Sequence, residues 1–208
     1  MISDTAQLAP AVIAWLDLFG IAVFAASGAL AAAQRGQTLV TFAFFALITG
    51  VGGGTVRDLL IGAPVFWVQD WRFAATCMVT AGLVWVTPKN FWKPRALDWF
   101  DAVGIAIYAV FGAWKSLTLG VPLLPAMMMG VITACVGGII REVLAGEPSI
   151  LLKPEIYVTA AALASGMFVL LLWLGAPVLP AAILSATAGF ALRAMAIWKG
   201  WAIPAYKP

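Results

Sequence analysis

The sequence predicts an all-α integral membrane protein. Seven transmembrane helices form two inverted three-helix repeats plus a seventh helix, with helices 2 and 5 bent at glycine clusters. Three observations lead there. Of the 208 residues, 63% are hydrophobic and only 10% charged, against about 25% charged in soluble domains. Seven apolar segments approach the roughly 20 residues a helix needs to cross a bilayer. The first half of the chain also matches the second, without a gap, at an offset of 84 residues.

The seven segments lie at about 9–33, 38–60, 72–87, 98–117, 122–145, 155–174 and 179–198. The loops between them are short and leave no room for a soluble domain, so residues 1–208 read as a single transmembrane domain. Repeat one covers about 9–87, repeat two about 98–174, and the extra helix about 179–198. No basic residue precedes the first segment, and no A-x-A cleavage pattern follows it, so it reads as a retained span rather than a signal peptide.

An odd number of spans puts the two ends of the chain on opposite faces. Arg35, Lys89, Lys93, Arg95, Lys153, Lys199 and Lys207 fall on the C-terminal face, and Arg72 and Lys115 on the other. The positive-inside rule then places the C-terminus in the cytoplasm and the N-terminus outside. Trp67, Trp71, Trp85, Trp92, Trp99, Trp198 and Trp201 sit at span ends, where an interfacial aromatic belt is expected.

Composition excludes several kinds of chemistry. The chain has no histidine, and its two cysteines, Cys77 and Cys135, lie in apolar runs. A resident metal site or structural disulfide is therefore not expected. The net charge of +3 is scattered, without a basic tract for nucleic acid. Neither a Ser/His or Cys/His pair, nor H-E-x-x-H, nor a P-loop is present. The protein reads as a non-enzyme without a cofactor.

Residues 17–64 and 101–148 share 17 identities in 48 positions. They include Asp17/Asp101, Gly20/Gly104, Gly28/Gly112, Thr49/Thr133, Gly53/Gly137, Gly54/Gly138, Arg57/Arg141, Gly62/Gly146 and Pro64/Pro148, while Asp58 faces Glu142. Shared apolar composition does not produce such a fixed register, so the halves read as a duplication. Three spans per repeat invert the second copy relative to the first. That architecture belongs to channels and transporters, whose working site lies at the repeat interface near the midplane.

Gly52–Gly54 and Gly137–Gly138 interrupt matching spans. Glycine costs a helix about 1 kcal/mol relative to alanine, so paired clusters point to helices that bend or unwind and free carbonyls for an ion. Close helix packing is the other use of such glycines. The adjoining Arg57–Asp58 and Arg141–Glu142 either fix the bent segments and attract cations or form interfacial pairs at loop starts. Neighbours in a helix do not face each other, so pairing across the repeats is expected. Asp17 and Asp101 read as mouth residues or structural caps. Lys115 either snorkels to the surface or projects into the pathway. Thr49, Thr133, Ser27 and Tyr108 offer hydroxyls to a dehydrating ion, or bonds to their own helix backbone.

The run Phe24-Ala25-Ala26-Ser27-Gly28-Ala29, then Gly52-Gly53-Gly54-Thr55-Val56-Arg57-Asp58 and Gly62-x-Pro64, resembles prokaryotic members of the trimeric intracellular cation (TRIC) channel family. Gly137-Gly138-x-x-Arg141-Glu142 repeats the pattern in the second half. The resemblance implies a homotrimer in membrane lipid with one pore per protomer, permeable to monovalent cations: chiefly K⁺, with Na⁺ the second candidate. It maps the pore bends onto Gly52–Gly54 and Gly137–Gly138, and implies a bacterial inner (plasma) membrane. Eukaryotic relatives carry a phosphoinositide-binding Lys-Glu-Val motif after the fourth span; Trp114–Thr118 keeps only its lysine. Bacterial sequences of this type also carry a glycine-transporter label. The alternative is therefore a secondary transporter of a small amino acid such as glycine, with Arg57 or Arg141 holding the carboxylate and Asp17 or Asp101 the ammonium. A membrane assembly factor without transport is the third reading.

Overall fold

Eight α-helices make up the fold of the described residues, 10–88, 91–93, 95–152, 155–202 and 204, in a computed structural model of the chain. They are α1 (Pro10–Gln34), α2 (Leu39–Leu60), the one-turn α3 (Phe66–Gln69), α4 (Trp71–Val86), α5 (Ala96–Thr118), α6 (Leu123–Leu144), α7 (Val158–Trp173) and α8 (Val178–Lys199). A 3₁₀ turn at Ile150–Leu152 follows α6. Among the described residues there is no strand beyond the single bridge Glu155–Ala202. Met1–Ala9 and Lys89, Lys153 and Lys207 of the basic face lie outside the described residues.

The boundaries follow local chemistry. Thr38 caps α2 by accepting from the Thr41 amide at 3.4 Å, and Asp70 caps α4 by accepting from the Arg72 amide at 3.0 Å. The Arg72 guanidinium bonds the same carboxylate and holds its pKa below the ordinary aspartate value. Gly62 and Gly146, 84 residues apart, close α2 and α6 in the left-handed region at φ 67° and 68°. A side chain there would strain the backbone. Residues 64 and 148, both proline, follow and prevent the helices from continuing.

Five helices are long and apolar enough to span a membrane, while α4 and α7 are apolar but have 16 residues each. The side chains are distributed inside-out relative to a soluble protein. Ala25, Ala29, Ala46, Ala106, Ala109, Ala113, Ala134, Ala160 and Ala164 are buried, whereas Val40, Trp71, Leu83, Leu152 and Trp198 are exposed. In lipid, apolar surface gains nothing by hiding, so helices associate by close contact of small residues. This is the pattern of an integral membrane protein.

Both glycine-bearing helices run uninterrupted: α2 is helical from Leu39 through Gly50–Gly54 to Leu60, and α6 from Leu123 through Gly137–Gly138 to Leu144. The expected unwinding is not there. The glycines serve close approach instead, which keeps the backbone carbonyls in their helical bonds. A Cβ on Gly53 would overlap the Thr133 carbonyl, and one on Gly137 would overlap the Thr49 carbonyl. Positions 53/137 and 49/133 are both repeat equivalents, so the α2–α6 contact is reciprocal. The α1–α5 contact is built the same way. Gly20 makes room for the Tyr108 ring, Gly104 for the Phe24 ring, and Phe24 and Tyr108 themselves lie 5.5 Å apart between ring centres.

Candidate functional site

The reciprocal crossing of α2 and α6 separates two buried charge clusters. Gly53 and Gly137 form the contact itself. Gly52 stands just off it, with the Ile140 Cδ1 atom 3.4 Å from where its Cβ would be. Thr49 and Thr133 flank the crossing and are buried. The Thr133 hydroxyl donates to the Met129 carbonyl at 2.5 Å, whereas Thr49 Oγ1 has no hydrogen-bond partner among the described residues.

The first cluster lies at the α2–α3 end. The Arg57 Nε and Nη2 atoms reach Asp58 Oδ1 at 2.9 and 2.8 Å, and both residues are fully buried. Lys115 Nζ approaches the same carboxylate at 3.1 and 3.2 Å, and the Phe66 amide donates to Asp58 Oδ2 at 3.0 Å. Asp58 thus serves two cations and a backbone N–H. The Phe66 ring lies over both cations, its centre 5.9 Å from Arg57 Cζ and 5.4 Å from Lys115 Nζ, and the Phe111 ring takes Arg57 from another side at 5.8 Å. Arg57 Nη1 is buried without a partner among the described residues. Asp17, half-buried on α1, accepts from the Tyr108 hydroxyl at 2.7 Å.

The second cluster lies at the other end of α6. Arg141 Nη1 donates to Asp101 Oδ1 at 2.7 Å and to Ser27 Oγ at 2.9 Å, and Nη2 lies 3.8 Å from Glu142 Oε1. The Ser27 hydroxyl in turn donates a hydrogen bond to the Phe24 carbonyl at 2.9 Å. The Ile150 amide donates to Glu142 Oε2. Residues 66 and 150 are 84 apart, so each repeat ties the loop after its second long helix to the buried acid of that helix. Gly138 makes room for the Tyr157 hydroxyl, as Gly54 does for the Phe66 ring.

Several expectations change on this geometry. Arg57 pairs with its own neighbour, Asp58, because its long side chain folds back to reach a carboxylate one residue on. Arg141 pairs with Asp101 of the same repeat and Ser27 of the other, so pairing across the repeats is only part of the pattern. The arginines are buried rather than interfacial. Lys115 turns inward to Asp58, at 23% side-chain exposure, and does not snorkel. Ser27 and Thr133 bond backbone carbonyls of their own helices. Phe66, Phe111, Tyr157 and the two loop amides are the site residues that sequence reasoning missed. Extending the 84-residue register two positions past Pro64 and Pro148 would have brought in Phe66 and Ile150.

Known proteins resemble the chain in sequence and in fold. The sequence profile of a family described as "Glycine transporter" matches the chain twice, over residues 14–89 and 98–173, two stretches spaced by the same 84 residues as the register above. The UPF0126 inner membrane protein YadS of Escherichia coli K12 is 42% identical over 152 residues, 70% of this chain and 72% of its own length. A UPF0126 membrane protein of Vibrio cholerae is 40% identical over 151 residues, 70% of this chain; the match spans 62% of that protein's length. A crystal structure of the TRIC trimeric intracellular cation channel orthologue from Rhodobacter sphaeroides superposes with a TM-score of 0.84 at 38% identity, covering 91% of this chain and 99% of that one. The doubled glycine–arginine–acid motif, the all-helical fold around it and these likenesses agree: the chain belongs to the TRIC family of membrane proteins, the family whose sequence profile bears the glycine-transporter description.

Proposed function

We propose that the protein is a passive channel for monovalent cations, chiefly K⁺, assembled as a homotrimer with one pore in each protomer. The single domain holds seven membrane helices, α4 and α7 among them, as two inverted repeats plus α8. It sits in a bacterial inner membrane with its N-terminus outside. The observation that carries this reading is the pair of buried charge clusters, each holding carboxylates, on either side of one reciprocal glycine crossing. A buried carboxylate at each end attracts cations from both sides, and a contact of two bare backbones between them is a constriction that a small shift opens. Its likeness to a structure described as a cation channel, at 38% identity, supports the same reading.

On this reading a hydrated cation meets Asp17 and Asp58 at one mouth or Asp101 and Glu142 at the other. It sheds part of its water against the hydroxyl of Thr49, which lacks a partner in the closed crossing, and leaves by the opposite cluster. Opening separates α2 from α6 at Gly53 and Gly137, with the glycine-rich turns as the points that bend. Gly54 and Gly138 keep room for the residues packed behind them. Arg57 and Arg141 hold the acids in place, and Lys115 moderates the charge of the first mouth.

The test is reconstitution in planar bilayers under a KCl gradient. Unitary currents reversing near the potassium equilibrium potential support the channel. A silent, correctly folded protein that exchanges labelled glycine in counterflow supports a carrier instead. The buried, unpartnered Nη1 of Arg57 is the group that would then receive the carboxylate.

A further inference from the structure

We propose that Phe66, on the one-turn helix α3, is a lid over the Arg57–Lys115 end of the pathway and swings away when ions pass; this rests on the channel reading above. Three contacts hold it shut. Its amide donates to Asp58 Oδ2 at 3.0 Å, its ring spans Arg57 and Lys115, and its ring edge fills the space left by Gly54, with Cε1 2.6 Å from where a Cβ would stand. Any larger residue at 54 would expel the ring. The next residue anchors the strap: Trp67 Nε1 donates to Thr55 Oγ1 at 3.0 Å, and Phe73 packs edge-on against Phe66 at 4.9 Å.

The closed position leaves something unmet. Arg57, whose Cζ lies 5.9 Å from the ring centre, has its Nη1 buried without an acceptor among the described residues, and a buried donor loses its bond to water without replacement. Lifting the ring lets water reach that donor while it costs the cation–π contacts. The opposing terms leave the two positions close in free energy, as a two-position element requires. Repeat two shares only the amide tie: Leu151 and Ile139 stand where Trp67 and Thr55 bond in repeat one. Ile150 takes the equivalent place and its amide bonds Glu142, yet it brings no ring to Arg141. The Phe66 lid therefore belongs to the Arg57–Lys115 end, while Tyr157 fills the matching space beside Gly138 at the other.

The experiment compares wild type with Phe66→Ala in two measurements. In the first, in detergent micelles where both faces are open to solvent, a water-soluble sulfonated N-hydroxysuccinimide ester acylates lysine amines, and mass spectrometry reads Lys115 relative to Lys93. Losing two cation–π contacts should speed Lys115 acylation about tenfold, whereas Phe66→Tyr restores the wild-type rate and Ile150→Ala does not change it. In the second, single-channel recording should show a raised open probability at unchanged unitary conductance. Should Phe66→Ala fail to fold, Phe66→Leu keeps bulk beside Gly54 without the aromatic face and carries the same comparison. Unchanged acylation and unchanged open probability in a folded variant overturn the lid while the channel stands. The acylation rate needs no current, so a silent wild type counts against the channel reading alone.

Discussion

Arg57 and Arg141 occupy the same place in the two repeats, yet they choose different partners. Arg141 is tied to Asp101 and Ser27. Arg57 turns to its neighbour Asp58, while Asp17, the counterpart of Asp101, is taken by the Tyr108 hydroxyl. Neither arginine nor its acids differ much between the halves; the surrounding residues do. Position 108 is Tyr where its equivalent, 24, is Phe, so the Tyr108 hydroxyl takes Asp17 and the ring at 24 offers Asp101 no such bond. Position 111 is Phe where 27 is Ser, so Arg57 finds a ring and Arg141 an oxygen. Lys115 replaces Ala31 and brings Asp58 a second cation. Ion pairing inside a low-dielectric protein is decided by which neutral groups stand nearby, because each buried charge must be satisfied by whatever lies within reach.

The largest expected effect breaks the tighter half. Asp101→Asn leaves buried Arg141 with only the more distant Glu142 carboxylate, 3.8 Å away, a loss of up to about 3–5 kcal/mol, read as a lowered unfolding midpoint in detergent. Asp17→Asn, at the equivalent position, loses one bond from Tyr108 and should cost about 1 kcal/mol or less. Equal losses in the two variants would show that the halves are wired alike.

The crossing itself should respond evenly. Gly53→Ala and Gly137→Ala each force a methyl into a carbonyl, an overpacking cost of about 1–3 kcal/mol, and both should reduce single-channel current. Gly52→Ala meets only a side-chain methyl at 3.4 Å and should be close to silent. A Gly52 variant as damaged as Gly53 would place the cause in helix flexibility rather than in contact.

Smaller effects sharpen the contrast. Ser27→Ala removes one hydrogen bond to a buried guanidinium, about 1.5–3 kcal/mol at most, and the lower end is expected because Asp101 stays. Phe111→Leu, its counterpart, removes a ring from buried Arg57 and should cost about 1–2 kcal/mol, the lower end expected because the Phe66 ring stays. Chemical unfolding in mixed micelles resolves the order, and a reversed order would put the tighter arginine in repeat one.

The fold was legible because hydropathy and length report directly on what lipid demands. The segment expected at 38–60 is the helix Leu39–Leu60, and that at 72–87 is Trp71–Val86. Gly53 and Gly137 were found by register alone. The partner of Arg57 was not, since a flexible four-bond side chain selects among carboxylates by tertiary position, which no spacing encodes. Nor was Phe66, an apolar residue on the one-turn α3 just past the 17–64 match, to which the 84-residue register was not carried. The meaning of the glycines was half legible: their symmetry marked the place, but whether they loosen a helix or let two helices meet depends on what stands opposite.

The alanine-rich interior reverses the usual map of tolerance to variation. In a soluble protein the bulky core residues are the fragile ones and the surface forgives. Here Leu83, at 61% exposure, faces outward, whereas Ala25 is fully enclosed and a larger side chain there must displace its neighbours. A saturation library of this chain should therefore lose function first at its smallest side chains, and a substitution table built on soluble proteins would rank its variants nearly backwards.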